Sequence, residues 1–247
     1  FAPTEVRDAS ARREWNLRPY AVGLLVEEPV HASMMVLVLM LLATVTFDGF
    51  METPLWADIA DQIGLWLPAP AIASTADGPH AVVTTLGLAA TIVSFLSIYF
   101  ACAWLMTRCA AASHGATTVA RYFIYTLAPI AIGYHLAHYL SFVVMAAQYL
   151  IPLASDPLGV GWDLFGTARY FVRIGIVDAR FVWYASVTAI VTGHVAAVYL
   201  AHAMALRVFT DKRAALRSQY PMLALMLGYT MISLWIIAQP IVNSRFG

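Results

Sequence analysis

Charged residues are scarce in this 247-residue chain, and their scarcity excludes most classes of soluble protein. Only 11% of the residues are charged and 61% are hydrophobic, whereas soluble domains carry about 25% charged residues. The net charge is +0 and no basic patch or tail occurs, which argues against a nucleic-acid partner. The two cysteines, Cys102 and Cys109, would lie about 10 Å apart along one predicted helix, too far for a disulfide.

Long hydrophobic runs are abundant, and they predict a polytopic membrane protein surrounded by a lipid bilayer. A transmembrane helix needs about 20 predominantly apolar residues, and five segments are close to that length or exceed it. We predict an all-α bundle that forms a single transmembrane domain over residues 1–247. Pro129 is expected to kink the third span and Pro240 to mark the end of the fifth. The spans are predicted near residues 31–48, 81–107, 119–151, 181–208 and 220–242.

The connections between the spans predict an interfacial helix and an orientation. The run PLWADIADQIGLWL is amphipathic and contains tryptophan, so it is expected to lie flat at the membrane surface. The glycine-containing loop at 153–180 is too long for a bare connector and is expected to be ordered. Basic residues favour the cytoplasmic side, which places residues 1–30 in the cytoplasm and Gly247 in the periplasm of a bacterial inner membrane. Ten basic residues lie on the N-terminal side (Arg7, Arg12, Arg13, Arg18, Arg108, Arg121, Arg207, Lys212, Arg213 and Arg217) and four on the other (Arg169, Arg173, Arg180 and Arg245).

Four histidines fall inside the apolar runs, two in the third span and two in the fourth. An ionisable side chain at bilayer depth is costly and by default marks a functional site, and imidazole is a common ligand of transition metals and haem iron. His135 is expected about 21 Å from Arg121 at one boundary and His194 about 21 Å from Arg180 at the other, so both lie near the middle of the bilayer. His135 and His138 share one helix face, and His138 is expected about one turn nearer the periplasm. His202 lies about two turns nearer the cytoplasm than His194.

This pattern predicts an intramembrane metal or haem b site. His135, His138 and His194 are the predicted metal ligands, and His202 is the further predicted cofactor ligand. Gly133 and Gly193 remove side-chain bulk next to these histidines, which allows either close helix approach or room for a flat cofactor. Two other interpretations stay open: a proton or substrate pathway, or histidines that hydrogen-bond across helices, with partners such as Tyr134, Tyr139, Thr192 and Gln148.

A second group of polar residues lies at the predicted periplasmic boundary. Asp48 ends the first span and His80 begins the second, and they are the candidate catalytic residues of a hydrolytic metal site in which bound water is the nucleophile. Three loop aspartates, Asp156, Asp163 and Asp178, are further candidates. The alternative is that these carboxylates are solvated or cap helices.

Several runs of the sequence resemble a known family of bacterial membrane proteins. TVTFDGFMETPLW, TLAPIAIGYHLAHYLSF, QYLIPLASDPLGVGWDLFGT and TGHVAAVYLAHAMALRVF are similar to the C-terminal half of proteins of the fenitrothion hydrolase-like family. The resemblance implies a polytopic inner-membrane protein, a longer natural chain, and hydrolysis of an organophosphate triester. It supplies no catalytic residues, and the sequence contains no H-E-x-x-H, H-x-H or G-x-S-x-G motif. A non-catalytic, permease-like subunit of a larger membrane assembly remains a third interpretation.

Overall fold

The described residues form eight α-helices and no strand. The computed structural model describes residues 22–66, 79–111, 114–173, 175 and 177–246, with the backbone alone at 22, 79, 80 and 240–246. The helices are α1 (Ala32–Met51), α2 (Pro54–Trp66), α3 (Pro79–Ala110), α4 (Ala116–Phe123), α5 (Ala128–Ala146), α6 (Leu150–Ser155), α7 (Ala179–Val208) and α8 (Lys212–Phe246).

Five segments are long and apolar enough to cross a membrane, which confirms the prediction of an all-α, multi-pass architecture. They are Ala32–Met51, Ala81–Ala110, Ala116–Ser155, Ala179–Val208 and Lys212–Gln239. The predicted amphipathic segment is also helical and forms α2, which contacts α1 and α3. Trp56 of α2 packs edge-to-face against Phe47 and Phe50 at the end of α1.

The two prolines singled out in the sequence have different effects. The third span is interrupted by a 3₁₀ segment at Ile124–Leu127, and Pro129 lies in the first turn of the helix that follows. The missing N–H of proline costs nothing there, because the first amides of a helix have no intrahelical partner. Pro240 directly follows the fifth span, which ends at Gln239, but it does not end the helix. The helix α8 begins at Lys212 and its backbone continues through Pro240 to Phe246.

The closest packing in the bundle is between α5 and α7, and two glycines make it possible. A Cβ added at Gly133 would lie 2.6 Å from the Ala189 carbonyl oxygen, and one added at Gly193 would lie 2.6 Å from the Pro129 carbonyl oxygen. Small residues let transmembrane helices approach to backbone contact in this way. The sequence left open whether these glycines allow close helix approach or leave room for a flat cofactor. The structure shows close approach, because the backbone of the opposite helix fills the space next to each glycine.

The two ends of the bundle differ in what they carry. At one end, which we call the basic end, Arg121 donates hydrogen bonds to the carbonyls of Pro29 and Val30, and Arg207 donates to Leu25. The other end carries α2 and the connection at 156–178, and we call it the loop end.

Candidate functional site

A histidine–aspartate pair joins α1 to α5 near the loop end. His138 Nε2 lies 2.9 Å from Asp48 Oδ2, and the Tyr139 hydroxyl donates to the same carboxylate oxygen at 2.8 Å. Both His138 and Asp48 are partly exposed, by 19% and 41% of their side-chain surface. The Tyr134 ring lies one turn deeper, nearly parallel to the imidazole at 6.4 Å between ring centres. The pair is thus fixed in position but still accessible.

The contact with Asp48 determines which nitrogen of the His138 imidazole can accept a proton. An ionised carboxylate only accepts hydrogen bonds, so His138 Nε2 must carry the proton that it shares with Asp48. In a neutral imidazole the other nitrogen, Nδ1, then has a lone pair. This Nδ1 faces Gly49, since it would lie 3.5 Å from a Cβ added there. The arrangement presents a proton acceptor whose orientation is held by a carboxylate.

His138 lines a cavity of about 510 Å³ at the loop end, which we call the vestibule. This volume lies within the range of small-molecule binding sites. Its polar lining includes Glu52, Ser141 and Ser186 as well as His138. Its apolar lining consists of Ala137, Val144, Met145, Val177, Ala179, Val182, Trp183, Ile236 and Ile237. Mostly apolar walls with a few polar groups are typical of sites for small, partly apolar molecules.

Gln148 attaches the 156–178 connection to the rim of the vestibule. Its side-chain oxygen accepts hydrogen bonds from the Arg173 N–H at 2.9 Å and the Tyr170 hydroxyl at 3.2 Å, and its amide donates to the Arg173 carbonyl at 3.2 Å. The side chain is only 7% exposed. Gln148, considered above as a partner for the histidines, thus binds this connection instead and fixes one wall of the cavity.

The loop aspartates serve local structure. Asp156 accepts from the N–H groups of Val160 and Gly161, and Asp178 caps α7 by accepting from the Arg180 N–H. Asp163 accepts from the Ala168 N–H and the Ser155 hydroxyl, and these hydrogen bonds, the Ala168 N–H foremost, hold the pKa of its carboxyl below the ordinary value. These contacts agree with the capping interpretation. The side chain of His80 lies outside the described residues.

The other three membrane histidines face different surroundings. His135 Nδ1 bonds to the Ala131 carbonyl at 2.8 Å, and the ring borders a groove that also contains Leu41 of α1. His194 is 6% exposed and faces Tyr229 of α8, with 5.9 Å between ring centres. His202 is exposed and bonds to Gln219 at 2.8 Å.

The predicted ligand set is therefore not assembled by the described part of the chain. No group of three or more His, Cys, Asp and Glu side chains within that part is close enough to hold a metal ion. Instead, the structure joins one residue from each predicted group, Asp48 from the boundary and His138 from the membrane interior. Sequence analysis missed this pairing and the vestibule residues Glu52, Ser141 and Ser186. The one signal was that Asp48 and His138 both lie toward the same membrane boundary.

Comparisons with known proteins add no functional assignment. No protein-family model matches this chain, and no similar curated protein or solved structure is found. The resemblance to the fenitrothion hydrolase-like family therefore stays a prediction.

Proposed function

We propose that this protein is a membrane enzyme whose vestibule is an acid–base site, with His138 as the base. The contact between His138 Nε2 and Asp48 carries the proposal, because it leaves Nδ1 able to accept a proton next to a cavity of about 510 Å³. The substrate class we propose is a small organophosphate triester with an aryl leaving group, as the sequence resemblance implies. The apolar side chains of Met145, Val182 and Trp183 suit such a substrate.

The proposed reaction needs only water as a second reactant. A water molecule gives a proton to His138 Nδ1 while its oxygen attacks phosphorus and the P–O bond to the aryl group breaks. The products are a phosphodiester and a phenolate, and the proton on His138 passes to the phenolate or to bulk water. Asp48 stabilises the imidazolium while it exists, as the carboxylate of a catalytic triad does.

The protonation state of His138 tests this proposal without any substrate. Nitrogen NMR of the protein in nanodiscs is expected to show that the neutral form of the His138 imidazole carries its proton on Nε2. Asp48→Asn replaces a carboxylate, which only accepts hydrogen bonds, by an amide that can also donate. The tautomer with the proton on Nε2 should therefore no longer be favoured over the other. His202, which bonds to Gln219, is the internal control and should not respond. A neutral His138 ring with its proton on Nδ1, or a tautomer that does not change in Asp48→Asn, contradicts its role as a base.

The site requires access from water, and we propose that the loop end faces the periplasm of a bacterial inner membrane. The support is the excess of basic residues at the opposite end, which carries Arg121 and Arg207.

Cysteine labelling in intact cells tests this orientation, in a variant with both native cysteines replaced by serine. A cysteine at Leu158, which is 69% exposed, should react with a membrane-impermeant maleimide. A cysteine at the exposed Lys212 should react only after the membrane is permeabilised. The opposite labelling pattern refutes the orientation and the route of access with it.

A metal or haem b bound to His194 is a second candidate function, and one observation favours it. His194 Nδ1 bonds to the Ile190 carbonyl at 2.8 Å, while Nε2 is buried without a hydrogen-bond partner among the described residues. Metal-ligating histidines commonly have this arrangement, because the second nitrogen is oriented by a carbonyl or carboxylate. His135 also bonds through Nδ1 to the carbonyl four residues earlier.

Absorption and metal analysis of the purified protein distinguish this candidate from the first. Haem ligation predicts a Soret band and stoichiometric iron, and metal ligation predicts a stoichiometric transition metal. His194→Ala should abolish either signal, whereas His202→Ala should leave it intact because His202 lies at the exposed surface. A colourless protein without bound metal rules this candidate out.

A further inference from the structure

A cluster of polar side chains lies in the interior of the bundle, beneath the vestibule. It consists of Thr46, Tyr134, His194, Tyr229 and Ser233, contributed by α1, α5, α7 and α8. Tyr229 is at its centre, with ring-centre distances of 6.1 Å to Tyr134 and 5.9 Å to His194. Ser233 lies one helical turn from Tyr229. We call these five residues the buried polar cluster.

The hydrogen bonds within this cluster can be assigned by donor and acceptor. Thr46 donates its only hydroxyl proton to the Leu42 carbonyl at 2.7 Å. The contact of 2.7 Å between the Thr46 and Tyr229 hydroxyls therefore uses the Tyr229 proton, and the Tyr229 oxygen keeps an acceptor site. His194 Nδ1 must likewise donate to the Ile190 carbonyl, so Nε2 of the neutral ring is an acceptor.

Three atoms of the cluster lack a hydrogen-bond partner among the described residues: Tyr134 Oη, His194 Nε2 and Ser233 Oγ. Tyr134 and Ser233 are 0% exposed and His194 is 6% exposed, so bulk solvent does not reach them. Buried polar groups in folded proteins are almost always hydrogen-bonded, to protein or to ordered water. Three such atoms on residues that surround Tyr229 thus indicate that polar molecules are bound inside the cluster.

We propose that the buried polar cluster is an internal water-binding site. The Tyr134 and Ser233 hydroxyls can each donate a hydrogen bond, whereas His194 Nε2 can only accept one. Water can form all three kinds of contact, because it donates to the nitrogen and accepts from the hydroxyls. Buried waters typically make about three such hydrogen bonds. An apolar or purely acceptor ligand could not satisfy Nε2.

Gly49 lies where the buried polar cluster meets the vestibule. It lines the vestibule, and a Cβ added there would lie 3.0 Å from Tyr134 Oη and 3.5 Å from His138 Nδ1. Ile236 Cγ2 would be nearer still, at 2.9 Å, so the residues are closely packed at this boundary. Hydration of the cluster does not depend on the proposed function of the vestibule.

Two tyrosine variants test the hydration of the cluster. Tyr99 is the matched control, because it is equally buried and its hydroxyl donates to the Ala120 carbonyl at 2.7 Å. If Tyr134 binds water, Tyr134→Phe removes a satisfied hydroxyl and should lower the thermal midpoint by about 2–4 °C, and Tyr99→Phe is expected to have the same effect. Ser233→Ala should act in the same direction. An unchanged or higher midpoint for both Tyr134→Phe and Ser233→Ala shows a dry cluster and overturns the proposal.

Magnetisation transfer from water provides a second readout. NMR in nanodiscs should show transfer from slowly exchanging water to the His194 ring, and Tyr134→Phe combined with Ser233→Ala should abolish it. Absence of transfer in the unaltered protein overturns the proposal, and so does transfer that survives the double variant. Neither measurement depends on catalytic turnover, so failure of the hydrolase proposal would leave this test intact.

Discussion

Gly193→Ala is expected to destabilise the bundle by more than about 2 kcal/mol, the upper range of overpacking penalties. The added Cβ would lie 2.6 Å from the Pro129 carbonyl oxygen and 3.3 Å from its carbon. These are backbone atoms, so no side-chain rotation relieves the clash and α5 and α7 must separate. Gly133→Ala should have a similar effect, because its Cβ would lie 2.6 Å from the Ala189 carbonyl oxygen.

Gly228→Ala is the matched control for this experiment. Gly228 also lies in a membrane-spanning helix, but a Cβ added there has no heavy atom within 4 Å. Alanine is favoured over glycine in a helix interior by up to about 1 kcal/mol, so the control should be neutral or stabilising. Thermal unfolding in nanodiscs measures all three variants. Equal midpoints for Gly193→Ala and Gly228→Ala would show that α5 and α7 are not in backbone contact.

Much of the architecture could be predicted because the bilayer imposes a minimum helix length and an apolar surface. The five spans are therefore recognisable from hydropathy alone. The exception is the last helix, where Pro240 does not stop α8. A proline removes one hydrogen bond and clashes with the preceding turn, but transmembrane helices tolerate it when neighbouring groups compensate. A single sequence does not reveal that compensation.

The candidate site was only partly predictable, because sequence gives the depth of a residue more reliably than the direction of its side chain. The depth of His138 was derived from helical rise, and Asp48 was placed at the membrane boundary. Their contact joins residues 90 positions apart, and it depends on how α1 and α5 are rotated about their axes. The same uncertainty explains why His135 and His194, at similar depth, face different neighbours.

His138→Gln is expected to lower turnover of a dialkyl 4-nitrophenyl phosphate by at least about 100-fold, the usual contribution of a general base. Glutamine keeps a polar side chain of similar reach, so the variant should remain folded. Asp48→Asn should also reduce turnover, because the imidazole loses the carboxylate that orients it. The double variant should be no slower than His138→Gln alone, because the two residues act as one unit.

His202→Gln is the control, because His202 is exposed and bonds to Gln219 away from the vestibule. It should retain the turnover of the unaltered protein. The thermal midpoints of His202→Gln and His138→Gln should be similar. A similar midpoint shows that His138→Gln loses turnover because the base is missing and not because the protein unfolds.

The most direct test of the acid–base site is the rate of 4-nitrophenolate release by the unaltered protein and by His138→Gln, each folded in nanodiscs. The unaltered protein is expected to release 4-nitrophenolate faster than empty nanodiscs do, and His138→Gln should reduce this release about 100-fold or more. Release that His138→Gln leaves unchanged would contradict the role of His138, and no release by the unaltered protein would contradict the proposed reaction.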